Sequence, residues 1–205
     1  MKQVILTGFE SFGPYKFNPT QDSTKYFDGK KIGEYDVKGV VLPCTYFGAF
    51  EILKSLIDEI NPVAILSTGL SSSVRGIRVE TTARNIMNGK YADANGYQPK
   101  GSLIIEDESM FLNTNCNNVN LVNILFNAGV PAEISCDAEG FICNSLIYQT
   151  TNYLNKNNLK IKNAFIHTPW TFDYRFKVEL EPGKIMIQKA VLFDSIERII
   201  KNIEN

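Results

Sequence analysis

The chain has 205 residues, 44% of them hydrophobic, with 21 Lys plus Arg against 22 Asp plus Glu. That length suits one sizeable domain, residues 1–205, able to bury a core without disulfides or metal. The near-neutral balance, with no basic run, gives no reason to expect a nucleic-acid surface, and no apolar stretch approaches the roughly 20 residues that cross a bilayer. From the N-terminus, Gln3 to Thr7 is a short apolar strand ending at Gly8. It is too short for a signal peptide and carries no small-residue cleavage site, so the expected location is the cytoplasm.

Val37 to Leu42 is a second strand, stopped by Pro43. Phe47 to Ile60 has helical spacing, with Phe47, Phe50, Leu53, Ile57 and Ile60 on one face, and Pro62 ends it. Val63 to Ser67 is a third apolar run, closing at Gly69, and Ile77 to Ile86 reads as extended. Asn88 to Lys100, rich in Gly, Asn and Asp, reads as a surface loop. Val119 to Phe126 is helical, Ala132 to Ser135 a buried strand, and Phe141 to Asn155 a helix beginning at or just before Cys143. Ala164 to Ile166 is the last core strand, and Lys184 to Ile203 a long C-terminal helix. The alternation of strand and helix indicates an α/β fold in a single domain.

The four cysteines, Cys44, Cys116, Cys136 and Cys143, form no CxxC pair. With a single histidine in the chain, a structural zinc site is not expected. The default for each cysteine is a small buried hydrophobe. That one histidine, His167 in Ile166-His167-Thr168-Pro169-Trp170, is the only side chain here with an unperturbed pKa near neutrality, so it is the only histidine base available. Cys143 is the nucleophile it could serve. A cysteine at a helix start meets unpaired N–H groups and partial positive charge, which lower a thiol pKa and supply donors for an oxyanion. His167 follows a strand, where ligand sites of α/β proteins tend to lie. Simple packing of Cys143 and a satisfied turn for His167 are the competing readings. Glu80, in Gly76-Ile77-Arg78-Val79-Glu80-Thr81-Thr82, is a candidate to orient the imidazole. Glutamate is depleted in strands, but the pattern alone favours a side chain facing solvent on an edge strand.

The chain resembles the pyroglutamyl peptidase type I (pyrrolidone carboxyl peptidase) family over nearly its whole length. The matching residues are Leu6-Thr7-Gly8-Phe9-Glu10-Ser11-Phe12-Gly13 with Asn18-Pro19-Thr20, then Val79-Glu80 with Ala83 and Asn85, then Asp93, Gly96 and Pro99. Ser135, Ala138, Cys143 and Asn144 follow, and Phe165-Ile166-His167 with Pro169 completes the set. The resemblance implies Cys143 as nucleophile, His167 as general base and acid, Glu80 as its orienting carboxylate, and Phe9 and Phe12 as walls of a pyroglutamyl pocket. It implies an α/β/α sandwich around a mixed, largely parallel sheet. The implied activity is a thiol peptidase that removes N-terminal pyroglutamate from peptides through an acyl-enzyme, with no metal and no cofactor. It further implies a homodimer or homotetramer, for which residues near Tyr46, Phe47 or before Asn113 are candidate contacts.

Several residues depart from the family pattern. Lys90 stands where the family has an arginine of the oxyanion region, Ala94 follows Asp93 in place of Asn, Glu139 replaces a glycine before the cysteine, and Thr81 follows the glutamate in place of Arg. Glu139 needs a backbone that tolerates a side chain and would oppose thiolate formation if it points inward. These changes keep two alternatives open: a relative with an altered N-acyl or lactam substrate, and a non-catalytic ligand-binding homologue.

Overall fold

In the computed structural model, which describes residues 2–13, 15–178 and 184–205, the apolar runs of the sequence lie side by side. In chain order the elements are β1 (Lys2–Phe9), α1 (Pro19–Phe27), β2 (Lys31–Ile32), β3 (Tyr35–Leu42), α2 (Gly48–Ile60), β4 (Ala64–Leu70), β5 (Ile77–Glu80), β6 (Thr82–Arg84) and β7 (Phe111–Asn113). They continue with α3 (Asn118–Asn127), β8 (Ala132–Ser135), α4 (Ile142–Lys156), β9 (Lys162–Thr168), β10 (Trp170–Thr171), β11 (Met186–Ile187) and α5 (Lys189–Lys201). Seven strands form one sheet in the order β2-β3-β1-β4-β9-β5-β8. Strands β3, β1, β4 and β9 run parallel; β5 is antiparallel to β9 and parallel to β8.

Parallel strands covered on both faces need continuous apolar or small residues, and all seven residues of β4 are buried. Alternation along each strand sends side chains to opposite faces. Val4, Leu6, Leu66 and Ile166 pack with Leu121 and Leu125 of α3 and with Leu192, Ile196, Ile199 and Ile200 of α5. Ile5, Ile65 and Phe165 pack with Leu53 and Ile57 of α2 and with Ile142, Leu146 and Ile147 of α4. The result is the expected α/β/α sandwich around a mixed, largely parallel sheet. No described helix is long and apolar enough to cross a membrane.

The structure differs from the sequence reading in several places. The segment from Ile77 to Ile86 is not one strand: β5 joins the main sheet, and β6 pairs with β7 in a separate two-stranded sheet. The break is at Thr81, whose N–H donates to Ser135 O while its carbonyl accepts from Thr114 N. Strand β8 is an edge strand, not a buried one, with Ile134 exposed. The C-terminal helix starts at Lys189, not Lys184, because Met186 and Ile187 pair with Trp170 and Thr171. Phe47 precedes α2 and is exposed rather than on its buried face, whereas Tyr46 is buried and cannot be a surface contact. Helix α1 is an addition, and its signal is local: Asn18 Oδ1 accepts from Thr20 N at 3.0 Å, with Pro19 in the first turn.

Cys136 is exposed, against the buried default, while Cys44 is buried and Cys116 half-buried. Burial pushes the thiols of Cys44 and Cys116 from 9.0 up to about 12. The unfolded chain releases these protons near pH 9 and the folded chain keeps them to about pH 12, so over that window the unfolded state binds fewer protons. Stability is therefore expected to fall as pH rises above 9, by about 1.4 kcal/mol per pH unit for each thiol. Urea unfolding followed from neutral to alkaline pH checks this, and Cys44→Ala should make the slope shallower by one proton's worth. A stability that stays level through this range would contradict it.

Candidate active site

Three elements converge at the carboxyl ends of β4 and β9. In β9, His167 is in register with Gly69 of β4 on one side and Arg78 of β5 on the other. Glu80 closes β5 opposite Phe165, two residues from His167 and therefore on the same face of the sheet. His167 Nδ1 lies 2.8 Å from Glu80 Oε1. Glu80 is fully buried, on a strand flanked by β9 and β8, so the solvent-facing edge position favoured by its sequence pattern is overturned. A buried carboxyl group requires a partner, and the imidazole supplies it for Oε1; Oε2 has none among the described residues. With Nδ1 engaged, Nε2 is the nitrogen free to exchange a proton.

Cys143 is the second residue of α4, whose N-cap position, Phe141, is extended and offers no side-chain cap. The first-turn N–H groups are thus uncapped by any side chain and can serve an oxyanion. Gly69 brings the thiol and the imidazole together. A Cβ placed on it would stand 2.9 Å from Cys143 Sγ, 2.9 Å from the Phe165 ring and 3.1 Å from His167 Cδ2. Only a bare Cα lets sulfur and ring lie so close over β4. Gly69→Ala is expected to lower kcat/KM by on the order of 10²-fold through misplacement of the pair, with the fold retained. Steady-state rates equal to the parent's would show that the pair tolerates the displacement.

The thiol does not carry the lowered pKa expected of a helix start. Burial pushes the Cys143 thiol up, and Cys44, Glu80 and Glu139 push the same way, against a smaller pull from its own backbone N–H. The balance of these causes favours the protonated form, which gives a neighbouring base a part in making the sulfur a nucleophile.

Two cavities meet at Cys143. One, about 30 Å³, is lined by Phe9, Phe12, Asn18, Cys44, Leu70, Phe141, Ile142 and Cys143. Phe9 and Phe12 therefore stand together beside the sulfur. The other, about 70 Å³, shares Leu70, Phe141 and Cys143 and adds Ser71, Arg78, Glu80, Asp137, Ala138, Glu139 and His167.

The substituted residues fall in different places. Lys90 is exposed with its ammonium over the Tyr91 ring, Ala94 is exposed, and neither lines a cavity at Cys143. Glu139 does line one, and its backbone is left-handed with φ 64°, a conformation that suits the glycine it replaces. Asp93 secures the loop from Asn88 to Lys100: its Oδ1 accepts from Asn95 N and Tyr97 N at 2.9 Å and its Oδ2 from Tyr46 N at 3.2 Å.

Sequence reasoning assigned no role to Gly69, Leu70, Phe141 or the buried Asn144. Asn144 Oδ1 accepts from Arg84 N and its Nδ2 donates to Arg84 O, both at 2.8 Å, tying the start of α4 to β6. Its place beside Cys143 was the available signal.

Comparison with known proteins gives the chain its relatives. The pyroglutamyl peptidase family profile matches residues 2–193. A pyrrolidone-carboxylate peptidase of Thermococcus litoralis is 36% identical over 173 residues, 84% of this chain and 79% of that protein. One from Bacillus cereus is 31% identical over 201 residues, 98% of this chain and 92% of that one. Among solved structures, the pyrrolidone carboxyl peptidase from Thermococcus litoralis superposes with a TM-score of 0.93 at 33% identity, covering 99% of this chain and 93% of that one. A mutant pyrrolidone carboxyl peptidase from Pyrococcus furiosus superposes with a TM-score of 0.90 at 26% identity, covering 98% and 97%. The chain belongs to the pyroglutamyl peptidase family.

Proposed function

We propose that this protein is a thiol peptidase that removes pyroglutamate from peptide N-termini, with Cys143 as nucleophile, His167 as base and acid, and Glu80 as the carboxylate that orients His167. The observation that carries this reading is the convergence of the three: His167 Nδ1 on Glu80 Oε1 at 2.8 Å, and the Cys143 sulfur and His167 ring together over Gly69.

His167 Nε2 takes the thiol proton as Cys143 Sγ attacks the pyroglutamyl carbonyl. The carbonyl electron pair moves to oxygen and is held by the uncapped N–H groups at the start of α4. When the tetrahedral intermediate collapses, the C–N bond breaks and His167 returns the proton to the leaving amine. Water, deprotonated by His167, then cleaves the thioester and restores the thiol. Glu80 holds the Nδ1–H tautomer and stabilises the imidazolium between these steps.

The lactam is flat and neutral, and the apolar cavity with Phe9, Phe12, Phe141, Leu70 and Ile142 offers it aromatic and aliphatic walls. Among its walls, Phe12 and Phe141 are half-buried and can adjust as the ring enters.

The same reading takes the whole chain as one catalytic domain and its partners as pyroglutamyl peptides. It places the chain in the cytoplasm, where free cysteines persist. It also includes homo-oligomeric assembly, for which Phe47, Met110 and Phe111 are exposed apolar candidates. Of the residues that kept the non-catalytic alternative open, Lys90 and Ala94 line neither cavity at Cys143, which favours the peptidase.

The test is hydrolysis of pyroglutamyl-arylamide beside prolyl-arylamide, which has the same ring size but a charged amine in place of the lactam. Release of arylamine from the first alone is expected. Absence of release from the pyroglutamyl compound overturns the reading.

A further inference from the structure

Of the two cavities that meet at Cys143, only the larger is charged, lined by Arg78, Asp137, Glu139, Glu80 and His167. His167 must hand a proton to the leaving nitrogen, so the chain beyond the scissile bond lies on the imidazole side, in this cavity. That placement rests on the reading under Proposed function. The charges around it are paired with one exception. Arg78 Nε meets Glu133 Oε1 at 2.7 Å, Arg84 Nη2 meets Asp137 Oδ1 at 2.9 Å, and His167 meets Glu80 at 2.8 Å. The Glu139 carboxylate has no ion-pair or hydrogen-bond partner among the described residues. Its position is fixed from the backbone: its N–H donates to Asp137 Oδ1 at 2.9 Å, and the next carbonyl, Gly140 O, accepts from Asn88 N at 2.8 Å.

We propose that Glu139 is a specificity-determining residue that favours a cationic side chain on the residue following pyroglutamate. An unpaired carboxylate beside the leaving segment attracts a Lys or Arg side chain there and repels Asp or Glu. Glu139 is exposed, so water screens the interaction. A preference of about 5-fold in kcat/KM for Lys over a neutral side chain of similar length is expected, within the range of exposed ion pairs.

The experiment measures kcat/KM for pyroglutamyl peptides that differ only in carrying Lys, Gln or Glu after pyroglutamate, with pyroglutamyl-arylamide alongside. It uses the parent, Glu139→Gln and Glu139→Lys. The ratio of Lys to Glu rates within each protein cancels any general change in thiol reactivity. The parent should favour Lys over Gln over Glu, less so at high salt. The ratio should approach one in Glu139→Gln and invert in Glu139→Lys. Cleavage of the arylamide together with a Lys-to-Glu ratio that is the same in all three proteins, or at or below one in the parent, overturns the role of Glu139 and leaves the peptidase intact. No cleavage of any pyroglutamyl compound overturns both.

Discussion

Cys143→Ala is expected to lose turnover of pyroglutamyl-arylamide by ~10⁴-fold or more while remaining folded. The size follows from the absence of any substitute. Cys44 is the other thiol lining the apolar cavity, but its Sγ donates to Glu10 O at 3.3 Å and burial holds it protonated to about pH 12. Removing one buried sulfur leaves a small void at the first turn of α4, a local loss that the packing of Ile142, Leu146 and Ile147 against the sheet can bear. Loss of activity with a thermal midpoint close to the parent's is the expected pair of results. Undiminished turnover in the variant would exclude Cys143 as the nucleophile.

Glu80→Gln is expected to lower kcat by on the order of 10³- to 10⁴-fold with little change in KM. The two side chains have the same shape, so packing around a fully buried position is kept. What changes is the hydrogen bond at Nδ1, now 2.8 Å from a carboxylate oxygen. An amide can donate its own N–H to Nδ1, which moves the imidazole proton to Nε2 and leaves no base facing the sulfur. It also lacks the charge that stabilises the imidazolium formed when the thiol is ionised. That charge matters because burial first, and then Cys44, Glu80 and Glu139, push the Cys143 thiol pKa up. Steady-state kinetics on the arylamide separate this from a binding defect: a raised KM with kcat preserved would assign Glu80 to substrate binding.

Fold and site were legible to different degrees. The strands at the centre of the sheet announced themselves as continuous apolar runs because both faces are covered. The edges did not: Ala132 to Ser135 looks the same in sequence whether a neighbour covers it or not. Cys143 and His167 could be singled out because each is a reactive residue beside a strand end or helix start, features that are local. The role of Glu80 was not local. Its burial comes from β5 lying between β9, to which it is antiparallel, and β8, to which it is parallel, a pairing that no periodicity within β5 encodes; the residue type made Glu80 a candidate, its strand pattern favoured solvent, and only the family resemblance tipped the balance. Phe9 and Phe12 were likewise readable as walls only through that resemblance. Lys90 and Ala94 show the opposite limit, since closeness to a motif in sequence did not put either in the lining of a cavity at Cys143. Gly69 needed the register of β4 against β9 before its missing side chain had meaning.

The most direct measurement is the mass of the intact protein after acid quenching during turnover of a pyroglutamyl ester or arylamide. A fraction of the chain should carry one pyroglutamyl group, released by hydroxylamine and mapped by peptide fragmentation to Cys143. The Cys143→Ala protein should carry none. Turnover without such an adduct in any quenched sample, or an adduct that persists in Cys143→Ala, would contradict acyl transfer through this sulfur.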